Sequence, residues 1–278
     1  MKSPAVEFRN ISKYFGAVKA NENLSFKITA GSIHGIVGEN GAGKSTAMKI
    51  LFGLYRPDAG EIFVHGKQVH FHSSVDAMSE KIGMVHQHFM LAEPLTALDN
   101  ILLQQKGSAF SILPRAEEKQ RLDEIAKRYG FEIDLDAKVE DLSVGAQQRI
   151  EILKVLSQDS EILILDEPTA VLTPQEVQDL FKNLRRLKEE GKTILIITHK
   201  LKEVMTLTDE VTVFRAGKVT ATTKTSATSA ADLAELMVGR RLQNPQERST
   251  AVDIEKDILK ITNLGAQMGA HRIHDICL

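Results

Sequence analysis

Apolar positions along the 278-residue chain follow two periods, and the changes from one to the other outline the elements. Short alternating runs predict strands at Val6 to Phe8 and Leu24 to Ile28, and a hairpin of Gly60 to Val64 with Lys67 to Val69 around His65-Gly66. Nearly unbroken apolar runs predict buried strands at Ser32 to Val37, Lys81 to Val85, Glu161 to Leu165 and Thr193 to Ile197. Helical spacing follows at Ala47 to Phe52, which stops at Gly53, and at the charged amphipathic stretch Arg115 to Tyr129, which stops at Gly130. Ile150 to Leu156 is apolar-periodic. Thr173 as N-cap with Pro174 at the first helical position starts another helix, which runs to about Glu190 and stops at Gly191. A last β pair spans Glu210 to Val219 and turns at Gly217-Lys218. Thr220 to Ala230 reads as an exposed connector, and Asp232 to Val238 as a short helix ending at Gly239. Helices between buried strands predict an α/β core. Residues of about 89–160 change character and predict a helical subdomain inserted into that core, while the first strands form a small β unit ahead of it.

Composition narrows the class. Lys and Arg number 35 against 37 acidic residues, a net charge of -2, which gives no basic footprint for nucleic acid. The single cysteine, Cys277, excludes an internal disulfide framework and fits a reducing compartment. No stretch reaches the roughly 18 apolar residues of a membrane span, so a membrane connection is expected to run through a partner.

The chemistry centres on Gly38-Glu39-Asn40-Gly41-Ala42-Gly43-Lys44-Ser45-Thr46, which fits G-x-x-x-x-G-K-[ST] between a predicted strand and a predicted helix. In that context backbone N–H groups cradle phosphates, Lys44 reaches the outer phosphates, and the Ser45 hydroxyl ligates Mg²⁺. The Gly41-Ala42-Gly43 run continues into Lys44-Ser45 and so does not complete a dinucleotide fingerprint. Three further strand ends carry polar groups: Gln87 after Lys81 to Val85, Asp166-Glu167 after Glu161 to Leu165, and Thr198-His199 after Thr193 to Ile197. Asp166 suits the Mg²⁺ side, Glu167 suits orienting or deprotonating a water, and His199 suits a γ-phosphate or that water, although a lone histidine is more often structural. Ser143 is an N-cap that could equally help grip an anion. Phe15, or Tyr14 beside it, ahead of Gly16, could stack on an adenine or face the core.

The polar stretch Arg240 to Glu255, with Pro245, reads as a linker. Beyond it, Asp257 to Leu264 echoes Val6 to Ile11, and Asp275-Ile276-Cys277-Leu278 echoes Asn23-Leu24-Ser25-Phe26 at almost the same offset. Two correspondences in register predict that a second copy of the domain begins there and stops mid-strand. The expected organisation is a domain at 1–240 with its helical subdomain at about 89–160, a linker at 241–256, and the start of a second domain at 257–278.

These residues together resemble the nucleotide-binding domain of ABC transporters over about residues 1–240. The resemblance identifies Gly38 to Thr46 with Walker A, Phe15 (with Tyr14 as fallback) with the adenine-stacking aromatic, and Gln87 with the glutamine loop. It also identifies Leu142, Ser143, Val144, Gly145, Ala146 and Gln147 with the signature, Ile162 to Asp166 with Walker B, Glu167 with the catalytic glutamate, Ala170 to Thr173 with the D-loop, and His199 with the switch histidine. Val144 stands where the family usually has glycine, Ala146 where a polar residue is common, and Thr173 where the D-loop usually ends in aspartate. The resemblance implies a P-loop NTPase fold of the ABC ATPase type, with an antiparallel β subdomain and an inserted helical signature subdomain. It implies ATP with Mg²⁺, held by Ser45, Gln87 and Asp166, and catalysis by Glu167, His199, Lys44 and Gln87. The signature would serve the nucleotide of a facing domain.

Met84 to Phe89 and Leu236 to Arg240 are similar to the tandem ATPases of bacterial importers for simple sugars and nucleosides. His88 to Leu91 with Pro94-Leu95-Thr96 is closer to the nucleoside or basic-membrane-lipoprotein type. Transmembrane permease subunits, a solute-binding protein and a facing nucleotide-binding domain are the implied partners, at the cytoplasmic face of a bacterial membrane. A soluble ABC-type ATPase of translation or DNA repair is a weaker fit, because the linker is short and mixed and neither coiled-coil insertions nor zinc cysteines occur. A regulatory module that holds ATP without hydrolysing it is opposed by the intact Lys44, Asp166, Glu167 and His199.

Overall fold

The computed structural model describes residues 4–103 and 115–239 and, near the C-terminus, 262, 264–268 and 271–276. In chain order the elements of the first part are β1 (Pro4–Phe15), β2 (Val18–Thr29), β3 (Ile33–Gly38), α1 (Lys44–Leu51), β4 (Ala59–Val64), β5 (Lys67–Val69), α2 (Ser74–Ser79) and β6 (Ile82–Val85). Then follow α3 (Ala97–Leu102), α4 (Arg115–Tyr129), α5 (Val144–Leu156), β7 (Ile162–Asp166), α6 (Pro174–Glu189), β8 (Thr193–Thr198), α7 (Leu201–Leu207), β9 (Glu210–Arg215), β10 (Lys218–Lys224) and α8 (Ala230–Val238). Two short strands, β11 (Leu264–Met268) and β12 (His271–Ile276), form a separate hairpin in a second compact unit, residues 243–278. The expected linker at 241–256 lies outside the described residues.

The main sheet has the order β10-β9-β3-β8-β7-β6 and is parallel apart from β10. Its central strands are apolar at nearly every position because both faces are covered. Along β7, Ile162 and Ile164 join the core beneath α1 and the antiparallel sheet, while Leu163 and Leu165 join the core beneath the helices. β8 divides the same way, with Leu195 and Ile197 on one side and Ile194 and Ile196 on the other. Each such buried Ile or Leu contributes about 1.5–3 kcal/mol, so the strand ends that carry the site are anchored in fully buried strands. The second sheet, β2-β1-β4-β5, is antiparallel and meets the first where Phe26 packs edge-on against Phe214 at 5.7 Å.

The inserted helices α3, α4 and α5 share the second core with α6. Three expectations change. β1 and β2 extend into one long hairpin, so Tyr14 and Phe15 belong to a strand rather than to a loop between strands. The 220–230 stretch is not an exposed connector: β10 occupies Lys218–Lys224 as an edge strand, and the turn is Ala216-Gly217, one residue earlier than expected. Threonine is β-branched and suits a strand, and Thr222 donates or accepts a 2.9 Å bond with Thr212 across the pair. The last helix starts at Ala230, because Ser229 and Asp232 form a reciprocal capping box.

Candidate functional site

β3 ends at Gly38 and α1 begins at Lys44, and the five residues between curl into an anion cradle. Two of its glycines have no room for a side chain. A Cβ on Gly38 would collide with the Phe214 carbonyl oxygen, and one on Gly43, at φ +95°, would collide with the Ala20 carbonyl and the Asn21 amide. Asn21, which the sequence did not single out, donates from Nδ2 to the Gly43 carbonyl at 3.0 Å and so ties β2 to the cradle. Lys44 is buried, and its Nζ donates to the carbonyls of Gly38 at 2.8 Å and Glu39 at 2.9 Å. Burial pushes its pKa down, against the opposing charges of Glu167 and Asp166.

The neighbouring parallel strands deliver the rest. Ser45 Oγ, in the first turn of α1, donates to Asp166 Oδ1 at 3.3 Å. Asp166 is buried at the end of β7. Burial pushes its pKa up, the Ser45 bond opposes this, and the charge of Glu167 raises it further. Glu167 has a left-handed backbone, φ +48°, which costs a non-glycine residue on the order of 1 kcal/mol or more. Its N–H donates to the Ile197 carbonyl at 2.9 Å and its Oε1 lies 3.2 Å from Nδ1 of His199 at the end of β8. Lys200 and Glu203 brace this corner, Lys200 Nζ donating to the Thr169 carbonyl at 2.8 Å and Thr169 Oγ1 donating to Glu203 at 2.8 Å. These bracing residues were also missed by the sequence reading, since nothing in their spacing separates them from a surface helix start.

A cavity of about 560 Å³ opens onto this edge, lined by residues 40–46, Val18 to Ala20, Gln87, Glu167 and Ala216-Gly217. Asn40, Gly41, Ala42, Gly43, Lys44, Ser45 and Thr46 thus meet Gln87 and Glu167 in one space, and Asp166 and His199 join through Ser45 and Glu167. Tyr14 and Phe15 do not line it. Both are exposed rather than in the core, and Phe15 leans edge-on against Tyr55 with ring centres 5.2 Å apart. A second cavity of about 600 Å³ lies between Arg149, Gly130 and α6, but its lining balances three acids against three bases and contains no phosphate cradle.

Leu142 to Gln147 also stay outside the cavity. Ser143 acts here as a cap, its Oγ accepting from the Ala146 N–H at 3.2 Å. Gln147 Nε2 donates to the carbonyls of Val139 and Leu142, each at 3.1 Å. Glu176 accepts from the N–H groups of Thr173 and Gly145 and so joins the starts of α5 and α6, which holds its pKa below the usual carboxylate range. Thr173, standing where the family has aspartate, is the N-cap of α6. Val144 is exposed at the tip of α5.

The donor set fits a nucleoside triphosphate with Mg²⁺. The glycine cradle and Lys44 suit phosphate oxygens, and Ser45, Asp166 and Gln87 offer oxygen ligands of the kind Mg²⁺ takes. Among the described residues no group of three His, Cys, Asp or Glu is placed to hold a metal ion by itself.

The model for the ABC transporter family matches residues 21–170, more than half of the chain, and the chain belongs to that family. It is 44% identical to a glucose import ATP-binding protein of Haloferax volcanii over 95% of this chain and 53% of the relative. It is 48% identical to a guanosine import ATP-binding protein of Bacillus subtilis over 88% of this chain and 48% of the relative. The chain therefore spans about half the length of the curated relatives it matches. Among solved structures, cbiO1 of Clostridium perfringens, part of an ABC transporter complex, is 29% identical with a TM-score of 0.72, covering 87% of this chain and 96% of that one.

Proposed function

We propose that this chain is the ATP-binding and ATP-hydrolysing part of an ABC importer for a small solute, a nucleoside or a simple sugar. The observation that carries the reading is the meeting of Lys44, Ser45, Gln87, Asp166 and Glu167 at one sheet edge. The 40–46 amides and Lys44 hold the triphosphate and balance its charge. Mg²⁺, held by Ser45 with Asp166 and Gln87, supplies further neutralisation of charge on the phosphates. Glu167 orients the attacking water and takes up its proton, and His199 holds the Glu167 carboxylate in place. Phe15 or Tyr14 stacks on the adenine once Phe15 leaves Tyr55.

Curated relatives named for import of glucose, guanosine, nucleosides, ribose and galactose support the importer reading over translation or repair. Permease subunits, a solute-binding protein and a facing nucleotide-binding domain are the partners, and the site of action is the cytoplasmic face of the membrane. No helix among the described residues is long and apolar enough to span a bilayer, consistent with attachment through a permease. The exposed Leu54 and Met90, near the Gln87 loop, suit a permease contact. The head-to-tail arrangement, in which Leu142 to Gln147 serve the opposite nucleotide, is supported by their position outside this chain's own cavity.

A second domain copy beginning near 257 is supported by the β11–β12 hairpin. It pairs Met268 with His271 and Gln267 with Arg272, as β1–β2 pairs Phe15 with Val18 and Tyr14 with Lys19, all at one offset. The test of the ATPase reading is nucleotide retention. Glu167→Gln should trap Mg·ATP through gel filtration and Lys44→Ala should abolish binding. A Glu167→Gln chain that releases ADP at the wild-type rate would contradict it.

A further inference from the structure

The connector after β6 has no ladder of its own, yet its backbone is closely held. Met90 N–H donates to Glu151 Oε1 at 2.8 Å, and Lys154 Nζ donates to the Met90 carbonyl at 3.2 Å. Glu151 and Lys154 are themselves paired at 2.9 Å, with side chains only 3% and 4% exposed. One turn of α5 thus satisfies both backbone groups of a single residue. At Ala92, two residues on, Asn100 repeats the arrangement: its Oδ1 accepts from the Ala92 N–H at 2.6 Å and its Nδ2 donates to the Ala92 carbonyl at 3.1 Å. Side chains of α5 and α3 replace the partner strand that residues 90–92 lack. Upstream, Val85 is fixed in register with Leu165 in the sheet. Gln87 therefore sits on a four-residue span, 86–89, stretched between two fixed points.

We propose that Glu151 and Lys154 are positioning residues for Gln87, setting where its amide meets the triphosphate and linking that position to the helix whose N-terminus is Ser143 to Gln147. This rests on the ATP reading above and deepens it. An ion pair buried to this degree is a weak stabiliser, since desolvation offsets most of the attraction, and apolar residues of similar volume often serve stability as well. Its distinct contribution is the grip on Met90. The Met90 side chain is exposed, so the hold acts through the backbone and is independent of the residue type there.

The inference predicts a separation of ATP from ADP binding. The double variant Glu151→Leu/Lys154→Met removes both charges and keeps volume. It should weaken Mg·ATP binding at least about fivefold, as expected for a misplaced hydrogen bond, and leave ADP affinity within about twofold. The Met90 amide should exchange with solvent faster. Lys154→Arg, which keeps the donor, should restore the ATP preference when paired with native Glu151. Calorimetric titration of each nucleotide and hydrogen exchange at Met90 are the measurements. Equal losses for ATP and ADP, or an unchanged ATP preference despite a freed Met90 amide, would overturn the proposal. A wild-type chain that binds neither nucleotide would instead overturn the ATP reading and this proposal with it. Should the double variant not fold, the wild type decides: Met90 protection must rise with Mg·ATP and not with ADP, and protection indifferent to nucleotide overturns the inference.

Discussion

Asp166 shows how a residue can serve a site at the expense of the fold. Burial at the end of β7 raises its pKa above that of the unfolded chain, so between the two values the folded state holds a proton the unfolded state has lost. Stability therefore falls as pH rises through that window, and the full penalty is present above it. Asp166→Asn removes the charge while an oxygen remains for Ser45. We expect it to raise the thermal midpoint of the nucleotide-free chain at pH 7 by about 2–4 °C, for relief on the order of 1 kcal/mol, and to flatten the acid side of the pH–stability curve. It should also remove Mg²⁺ dependence from ATP binding. A midpoint that falls at pH 7 would show that the charge is stabilising in place. Lys44 carries the complementary load: burial lowers its pKa, so the unfolded chain binds the extra proton and stability rises with pH just below the lysine range.

At the scale of elements, Glu176 is the joint that holds the starts of α5 and α6 together. It caps Thr173 and receives the Gly145 N–H, and a Cβ on Gly145 would collide with its carboxylate. Glu176→Ala should cost about 1–2 kcal/mol, the value of a lost cap plus an unpaired helix amide. Its signature would be faster hydrogen exchange at both Thr173 and Gly145, whereas a change confined to Thr173 would refute the joint. Much of this architecture was legible beforehand. The unbroken apolar runs of β3, β7 and β8 have a single physical cause, cover on both faces, and the P-loop spacing and the polar strand ends follow from the same parallel sheet. The edges were harder to read. β10 looked like a linker because threonine and serine mark loops by composition, while their pairing with β9 is a tertiary fact. α2 and α7 are too short for periodicity to register, and they are held by the Ser73 capping box and by apolar contacts of Val204 and Leu207. Glu151 and Lys154 lie inside the apolar-periodic stretch Ile150 to Leu156 and were not singled out there, although their apolar flanks Ile150, Ile152, Leu153 and Val155 were the available signal. The contact of Phe15 with Tyr55 joins residues far apart in sequence and left no local trace.

For the molecule as a whole, the proposed head-to-tail arrangement assigns the cavity and the signature helix to different nucleotides. The chain offers a complete phosphate cradle with Gln87, Asp166 and Glu167, yet Ser143 to Gln147 lie away from it. In the head-to-tail arrangement proposed here, the second signature comes from a facing domain, which a second copy of this chain can supply. The most direct test is ATPase activity per molecule as a function of chain concentration, with Lys44→Ala and Glu167→Gln alongside. The account predicts specific activity that rises steeply with concentration and disappears in both variants. Activity that stays flat with concentration and survives Glu167→Gln would contradict it.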